Sequence, residues 1–391
     1  MKSGLLISGS AHGLLLSIIL VNGVFLLSDS PDLSAKNMDI YVISDAEFDA
    51  EMSTPPSVYL DQKVNDEKPF EPSNGDVLTN SSDYKMNEIK GPDAKQLVQK
   101  IIPRDISLLT RSKCLYTPLV NSKGGMINDP VIIKLAEDRY WISIADSDAL
   151  LWIDGIATGL NLNVTIFEPD ISPLAIQGPK SKDLLRRVFG ADIEKLKFFE
   201  VGIFYFNGLP LITARSGFSK QSGYEIYVNG PDIADKLWDS LFEAGKDLNV
   251  RAGCPNLIER TEAGLLSYGN DMDLSNTPFE CGLGKFLSKL IPSNCIGAQK
   301  LNCEITRSPS KTIRSLSIDC YEKVYCDGAW ELFDSENKNA GQVTSAAYSP
   351  NFQKVVALGM VSSDTLKLGQ SLYTVIHGKK YQVQVEDQPF I

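Results

Sequence analysis

The chain has 391 residues, 43% of them apolar and 22% charged, with a formal net charge of −11. That is enough material for two or three cores, too polar for a multispanning membrane protein and too apolar for a disordered one. The acidic balance argues against a nucleic-acid partner, and with His12 and His377 as the only histidines there is no Ser-His-Asp triad, HExxH zinc site or multi-histidine metal centre to build.

The N-terminal stretch differs from the rest. Leu14–Leu27 (LLLSIILVNGVFLL) is an apolar run of signal-peptide length, short for a membrane span and preceded by Lys2. It reads either as a buried element or as a signal segment, with Ala35 available after it. Ser28–Asp83 is rich in Asp, Ser, Pro and Asn with poor periodicity, which predicts loops or a flexible arm. Asn80-Ser81-Ser82 and Asn163-Val164-Thr165 match the glycosylation pattern, which matters only in a secreted chain.

Patterned globular sequence begins at Tyr84. Ile89-Lys90-Gly91-Pro92-Asp93 leads into an apolar stripe at Ala94, Leu97, Val98 and Ile101, a helix start by its Pro and Asp. The pattern returns at Ile176-Gln177-Gly178-Pro179 before Leu184, Leu185 and Val188, and again at Val228-Asn229-Gly230-Pro231-Asp232 before Leu237, Trp238 and Leu241. Strand, Gly-Pro, amphipathic helix thus occurs three times, predicting related α+β units with antiparallel sheets. Strands are expected at Val131–Leu135, Tyr140–Ala145, Val164–Phe167, Ile203–Phe206 and Leu211–Ala214, and a helix at Ser147–Leu160. After Glu304 short runs such as Ser315–Ile318, Val355–Met360, Ser371–Ile376 and Lys380–Val385 predict a small β-barrel or sandwich.

Several tempting motifs fail. Asp271-Met272-Asp273 opens like a calcium loop, but its sixth position is Asn276 and its twelfth Gly282. Gly282-Leu283-Gly284-Lys285 lacks the spacing and the hydroxyl residue of a phosphate loop, and Gly217-Phe218-Ser219-Lys220-Gln221 is no nucleophile elbow. The cysteines at 114, 254, 281, 295, 303, 320 and 326 include no CxxC and read as reduced.

Three Gly-rich polar segments remain: Gly124–Pro130, Ala214–Tyr227 and Ile258–Gly269. Together with Gly341-Gln342-Val343-Thr344-Ser345 and Tyr348-Ser349-Pro350 they resemble the glycine-cleavage T-protein (aminomethyltransferase) family. The stretches 124–148, 167–179, 214–228 and 267–286 are most similar to its dimethylsulfoniopropionate demethylase branch. The resemblance covers about residues 84–391 and implies a three-domain α+β fold with a C-terminal β-barrel and folate in a channel among the domains. The expected division is an atypical, partly flexible region 1–83 that could complete the first domain, folate-binding domains 84–303, and a β-rich barrel 304–391.

The resemblance further implies transfer of a sulfonium methyl to tetrahydrofolate, in the cytoplasm, with a small-molecule donor, no metal, no nucleic acid and no membrane; a homodimer is allowed. Export is the alternative location if Leu14–Leu27 acts as a signal. A sulfonium leaves as a neutral thioether, so the protein has mainly to align the reactants. Glu225 is expected to accept the adjacent N–H donors of a reduced pterin, with Tyr227, two residues on, sharing its facing. Asp129 is assigned the catalytic position near the folate N5. Arg260 would hold a folate carboxylate or anchor Asp129, Phe199 would stack on the folate, and Tyr116 and Tyr268 would line the pocket. Asn128 stands where relatives carry a second Asp, and Phe218 where the demethylase pattern has Trp, a weaker cation–π face for the sulfonium. Two alternatives stay open: another folate-dependent aminomethyl or N-methyl transferase, and a non-catalytic folate-binding homologue. A secreted structural protein is the remote option.

Overall fold

The computed structural model describes residues 77–80, 84–145, 149–253, 256–326, 328–368 and 371–391, all within the unit Phe70–Ile391. The apolar run Leu14–Leu27, Ala35, the arm up to residue 76, Ser81 and Ser82, the first residues of the Ser147–Leu160 helix and Cys254 lie outside the described residues.

The first sheet has five antiparallel strands, in the order Cys114–Tyr116, Val131–Ala136, Arg139–Ala145, Tyr84–Lys90 and Thr165–Phe167. Helices Ala94–Ile101 and Leu150–Gly159 cover one of its faces. Leu97, Val98 and Ile101 form the buried stripe of the first helix and meet Ile89, Ile132, Tyr140 and Ile142 from the strands. The second sheet has six strands, in the order Val201–Phe206, Leu209–Ala214, Gly223–Asn229, Ile171–Gln177, Val77–Asn80 and Arg251–Gly253. Helices Ser181–Phe189 and Pro231–Ala244 bury Leu184, Leu185, Leu237 and Leu241 against it.

The strand Val77–Asn80 departs from the sequence reading, which placed it in a flexible arm. Its four residues pair antiparallel with Ile171–Gln177, and the first three pair parallel with Arg251–Gly253. Both partners are distant in sequence, so a tetrapeptide with no period of its own is ordered by tertiary pairing. The repeated Gly-Pro junction has a backbone cause. Gly91, Gly178 and Gly230 have φ of 140°, 129° and 86°, turning the chain from strand to helix where a side chain is strained. A β-carbon on Gly91 would lie 2.5 Å from the Asn163 carbonyl oxygen.

The two sheets meet in a seam. Met86, Cys114, Ile133 and Trp141 of the first pack on Val201, Ala214 and Tyr227 of the second. Trp141 and Tyr227 make the central contact, with ring centroids 5.6 Å apart at 62°. Trp141 is steered by Glu88, which accepts from its Nε1 at 2.8 Å and from Arg139 at 2.6 and 2.8 Å. Burial alone would raise the Glu88 pKa, but these donors hold it below the usual carboxylate range.

The C-terminal strands close into a six-stranded barrel, in the order Lys311–Ile318, Lys354–Ser362, Asn339–Ser349, Trp330–Phe333, Leu372–Ile376 and Lys379–Glu386, the last pairing with the first. Among the described residues, no helix is long and apolar enough to cross a membrane. Six of the cysteines are free thiols, and Cys114, Cys281, Cys295 and Cys320 are buried.

A buried ion pair ties the barrel to the rest of the unit. Asn256 accepts from Glu259 N at 2.8 Å and caps the helix Leu257–Glu262, which presents Arg260. The Arg260 guanidinium donates to Asp271 at 2.8 Å and to Ser345 of the barrel at 2.7 Å. Asp271 also accepts from Thr344, Ser345 and the Ser267 amide at 2.6, 2.6 and 2.9 Å. Removing one partner of such a pair strands the other charge in the interior at about 3–5 kcal/mol. Asp271→Ala should therefore cost the full chain roughly that amount in urea unfolding; a loss below about 1 kcal/mol would show that Arg260 finds water instead.

Candidate functional site

The strand Gly223–Asn229 is two-faced. Tyr224, Ile226 and Val228 point into the helix-covered core, and Tyr227 faces the seam. Alternation puts Glu225 on the face of Tyr227, as the sequence reading expected. The strand neighbours directly opposite Glu225 are Ala175 and Ala214, so methyl groups flank it on both sides within the sheet. The Ser216 hydroxyl donates to Glu225 Oε2, and no described residue donates to Oε1. Burial raises the Glu225 pKa, and the Ser216 hydrogen bond opposes that rise. Cys114 lies close enough to feel this charge: burial first, and Glu225 second, push its thiol up to about 12.

The second carboxylate follows the strand Met126–Asn128. Pro130 fixes the turn after Asp129, whose Oδ2 accepts from the Tyr116 hydroxyl at 2.6 Å. Asn128 is buried beneath it, and its Oδ1 accepts from the Asp129 amide at 2.8 Å. The Tyr116 ring stands edge-on to Phe286 at 4.7 Å, and Arg104 donates to the Tyr116 carbonyl at 2.7 Å. Burial, then the Asp129 charge, raise the Tyr116 pKa well above its ordinary value, so its proton stays on the phenol. Cys281, buried nearby, is raised by burial and by carboxylates that include Asp129.

One short strand links the two acids. In Cys114–Tyr116, residues 114 and 116 share a face, about 7 Å apart at 3.3 Å per residue. Leu115 points instead into the first core. Cys114 packs with Ala214, the strand neighbour of Glu225, and Tyr116 holds Asp129, so this strand relates the two carboxylates. The Phe199 carbonyl accepts from the Cys114 amide at 3.1 Å, and the Phe199 amide donates to Arg215 at 2.9 Å. Phe199 has φ of 61°, a strained conformation for a bulky residue. Those two hydrogen bonds hold it there, its ring edge-on to Phe198 at 4.7 Å.

Of the remaining expected residues, Tyr227 is buried against Trp141 and packs the seam. Tyr268 is half-buried in the cluster that contains Tyr116, and burial raises its pKa. Phe218 is half-buried in the loop 215–222, which also carries Lys220. Burial, then the neighbouring Lys285, lower the Lys220 pKa; Lys285 in turn lies over the Phe286 ring at 5.1 Å. Arg260 is committed to Asp271 and Ser345, which is the contact the structure gives it in place of the expected anchoring of Asp129. A cleft of about 460 Å³ between residues 270–276 and the barrel, lined by Asp273, Lys311, Glu331 and Gln342, is bordered by none of the expected site residues.

Sequence reasoning assigned no role to Ser216, Gln177, Arg104, Phe286 or Glu259. Ser216 falls inside a Gly-rich segment already singled out, and Gln177 lies at the second Gly-Pro junction. Glu259 shows a findable signal, since Asn256 three residues before it is a capping pattern. Its carboxyl is raised by burial and held by Asn256 and by Gln221 of the loop 215–222.

Residues 74–290 match the GCVT N-terminal domain, and residues 311–391 match the glycine cleavage T-protein C-terminal barrel domain. The chain is 50% identical over 273 residues to dimethylsulfoniopropionate demethylase DmdA of Ruegeria pomeroyi, covering 70% of this chain and 74% of that protein. It superposes on the crystal structure of glycine cleavage system aminomethyltransferase T from Bartonella henselae with a TM-score of 0.73 and 25% identity, over 81% and 86% of the two chains. The chain belongs to the glycine-cleavage T-protein family.

Proposed function

We propose that this protein is a tetrahydrofolate-dependent methyltransferase that demethylates dimethylsulfoniopropionate to methylmercaptopropionate, forming 5-methyltetrahydrofolate. The observation that carries the reading is the Glu225 carboxylate, supplied with one donor, flanked by two alanines and related to Asp129 through the strand Cys114–Tyr116. A reduced pterin offers the adjacent N–H donors that such a carboxylate lacks. Identity of 50% to a demethylase supports the choice of donor.

Within this reading folate supplies the nucleophilic nitrogen that takes the methyl group. The protein's own contribution is placement and charge. Glu225 orients the ring, and Phe199, locked by its backbone, presents a flat face beside it. Asp129, aimed by Tyr116 and by Asn128, stabilises the positive charge that develops on the accepting nitrogen. Phe218 offers the sulfonium an aromatic face. Alignment of this kind supplies about 7–11 kcal/mol in well-oriented cases, which suits a site without histidine. The free thiols fit a reducing compartment, the cytoplasm.

The testing experiment incubates the protein with tetrahydrofolate and dimethylsulfoniopropionate and follows methylated folate by chromatography, with glycine and sarcosine as competing donors. Methylated folate formed from neither sulfonium nor amine would leave only a folate-binding role. Glu225→Gln should weaken tetrahydrofolate binding by roughly 10- to 100-fold, the loss of a charge-assisted hydrogen bond worth about 1.5–3 kcal/mol. The same substitution should stabilise the apo protein increasingly as pH rises. The folded pKa of Glu225 is raised, so its burial cost grows as pH climbs from the ordinary carboxylate range to the raised value and is complete above it, and Gln never acquires it. Melting curves at pH 5 and pH 8 check the sign. Tyr116→Phe should lower kcat about 10-fold with little change in KM, since it removes the phenol hydrogen bond from Asp129 without touching the ring-binding face. Phe218→Trp should lower KM for the sulfonium about 2- to 5-fold, the difference of roughly 0.5–1 kcal/mol between the two aromatic faces; an unchanged KM would place Phe218 outside the donor site.

A further inference from the structure

Gln177 closes the strand Ile171–Gln177 and faces the loop 215–222. Its Nε2 donates to the Ser216 carbonyl at 3.1 Å, and its Oε1 accepts from the Ser219 hydroxyl at 2.8 Å. The next residue continues the grip, the Gly178 amide donating to the Ser222 carbonyl at 2.9 Å. The slot around the amide is close-fitting. A β-carbon on Gly217 would lie 2.1 Å from Oε1, and one on Gly223 would lie 2.4 Å from Nε2. The chemistry of the slot calls for a primary amide, which donates to a carbonyl and accepts from a hydroxyl at the same time.

We propose that Gln177 is a positioning residue for the Glu225 carboxylate: by fixing the Ser216 carbonyl, it aims the Ser216 hydroxyl at Glu225 Oε2. A single residue joins the two contacts, since Ser216 is held at its backbone by Gln177 and donates from its side chain to Glu225. Ser216 is buried, so its orientation is set by these partners rather than by solvent. Hydrogen bonding to an ionised carboxylate favours the charged form, and loss of the aim therefore favours the protonated one. The consequence for folate binding rests on the function proposed above; the linkage among the three side chains does not.

The test follows Glu225 ionisation in the full-length apo protein by NMR of ¹³C-labelled glutamate carboxyls, the Glu225 signal being identified by its loss in Glu225→Gln. Ser216→Ala should raise the titration midpoint by about one pH unit. Gln177→Met, which fills the slot without a donor, should raise it by at least half as much, and the double variant should shift no further than Ser216→Ala alone. Gly223→Ala, which displaces the amide by a different route, should reproduce the shift. An unmoved midpoint in folded Gln177→Met, or a double variant whose shift is the sum of the two, overturns the proposal. Turnover gives an independent readout: KM for tetrahydrofolate should rise about 10-fold in Gln177→Met, with kcat within 3-fold of the parent. A shifted midpoint with unchanged folate affinity upholds the Gln177 linkage and refutes the folate role of Glu225.

Discussion

A carboxylate placed where two sheets press together must find donors or give up its charge. At Glu225 the protein supplies one hydroxyl, from Ser216, and leaves methyl groups on either side. That under-supply makes the position costly in the free protein and, on the function proposed above, useful to a ligand rich in N–H groups. The neighbouring seam is built to keep this spot in place. Glu88 and Arg139 fix Trp141, Trp141 meets Tyr227, and Tyr227 lies two residues along the same strand face as Glu225. A fully satisfied carboxylate, Glu88, thus indirectly steadies a partly satisfied one.

The barrel supports the candidate site, with Leu358 and Ile313 in the same cluster as Tyr116 and Tyr268. Asp271 ties Arg260 to the barrel residues Thr344 and Ser345, and the segment that follows it packs on the Gly124–Gly125 turn. Met126 donates to the Asn276 carbonyl at 2.8 Å, and a β-carbon at Gly125 would lie 2.1 Å from the Leu274 carbonyl oxygen. That turn leads directly to Asn128 and Asp129. The placement of one acid therefore depends on a charge pair more than a hundred residues away in sequence, in a different part of the fold.

Much of the architecture was readable in the chain. The three Gly-Pro junctions mark real strand-to-helix turns because each glycine has a positive φ, and the short runs after residue 304 form the barrel. Alternation correctly gave Glu225 and Tyr227 one face. The strand Val77–Asn80 was not readable, because four residues carry no period and their partners lie far along the chain. Arg260 shows a different limit. A lone cation in a polar motif fits a ligand or an ion pair equally well, and only the fold reveals that Asp271 and Ser345 enclose it. Ser216 and Gln177 escaped for a related reason: neutral side chains advertise no chemistry until their hydrogen-bond partners are known.

Two of the buried thiols carry a consequence under the proposed function, in which the substrate is an alkylating one. A methyl sulfonium reacts with any good soft nucleophile, and a cysteine thiolate is the strongest one a protein offers. Cys114 lies within the field of Glu225, and Cys281 within that of Asp129. Low dielectric and adjacent negative charge keep both in the unreactive S–H form across physiological pH. Under the proposed function, burial first and these carboxylates second would protect the polypeptide from methylating itself, and its catalytic lifetime would be decoupled from the reactivity of what it binds.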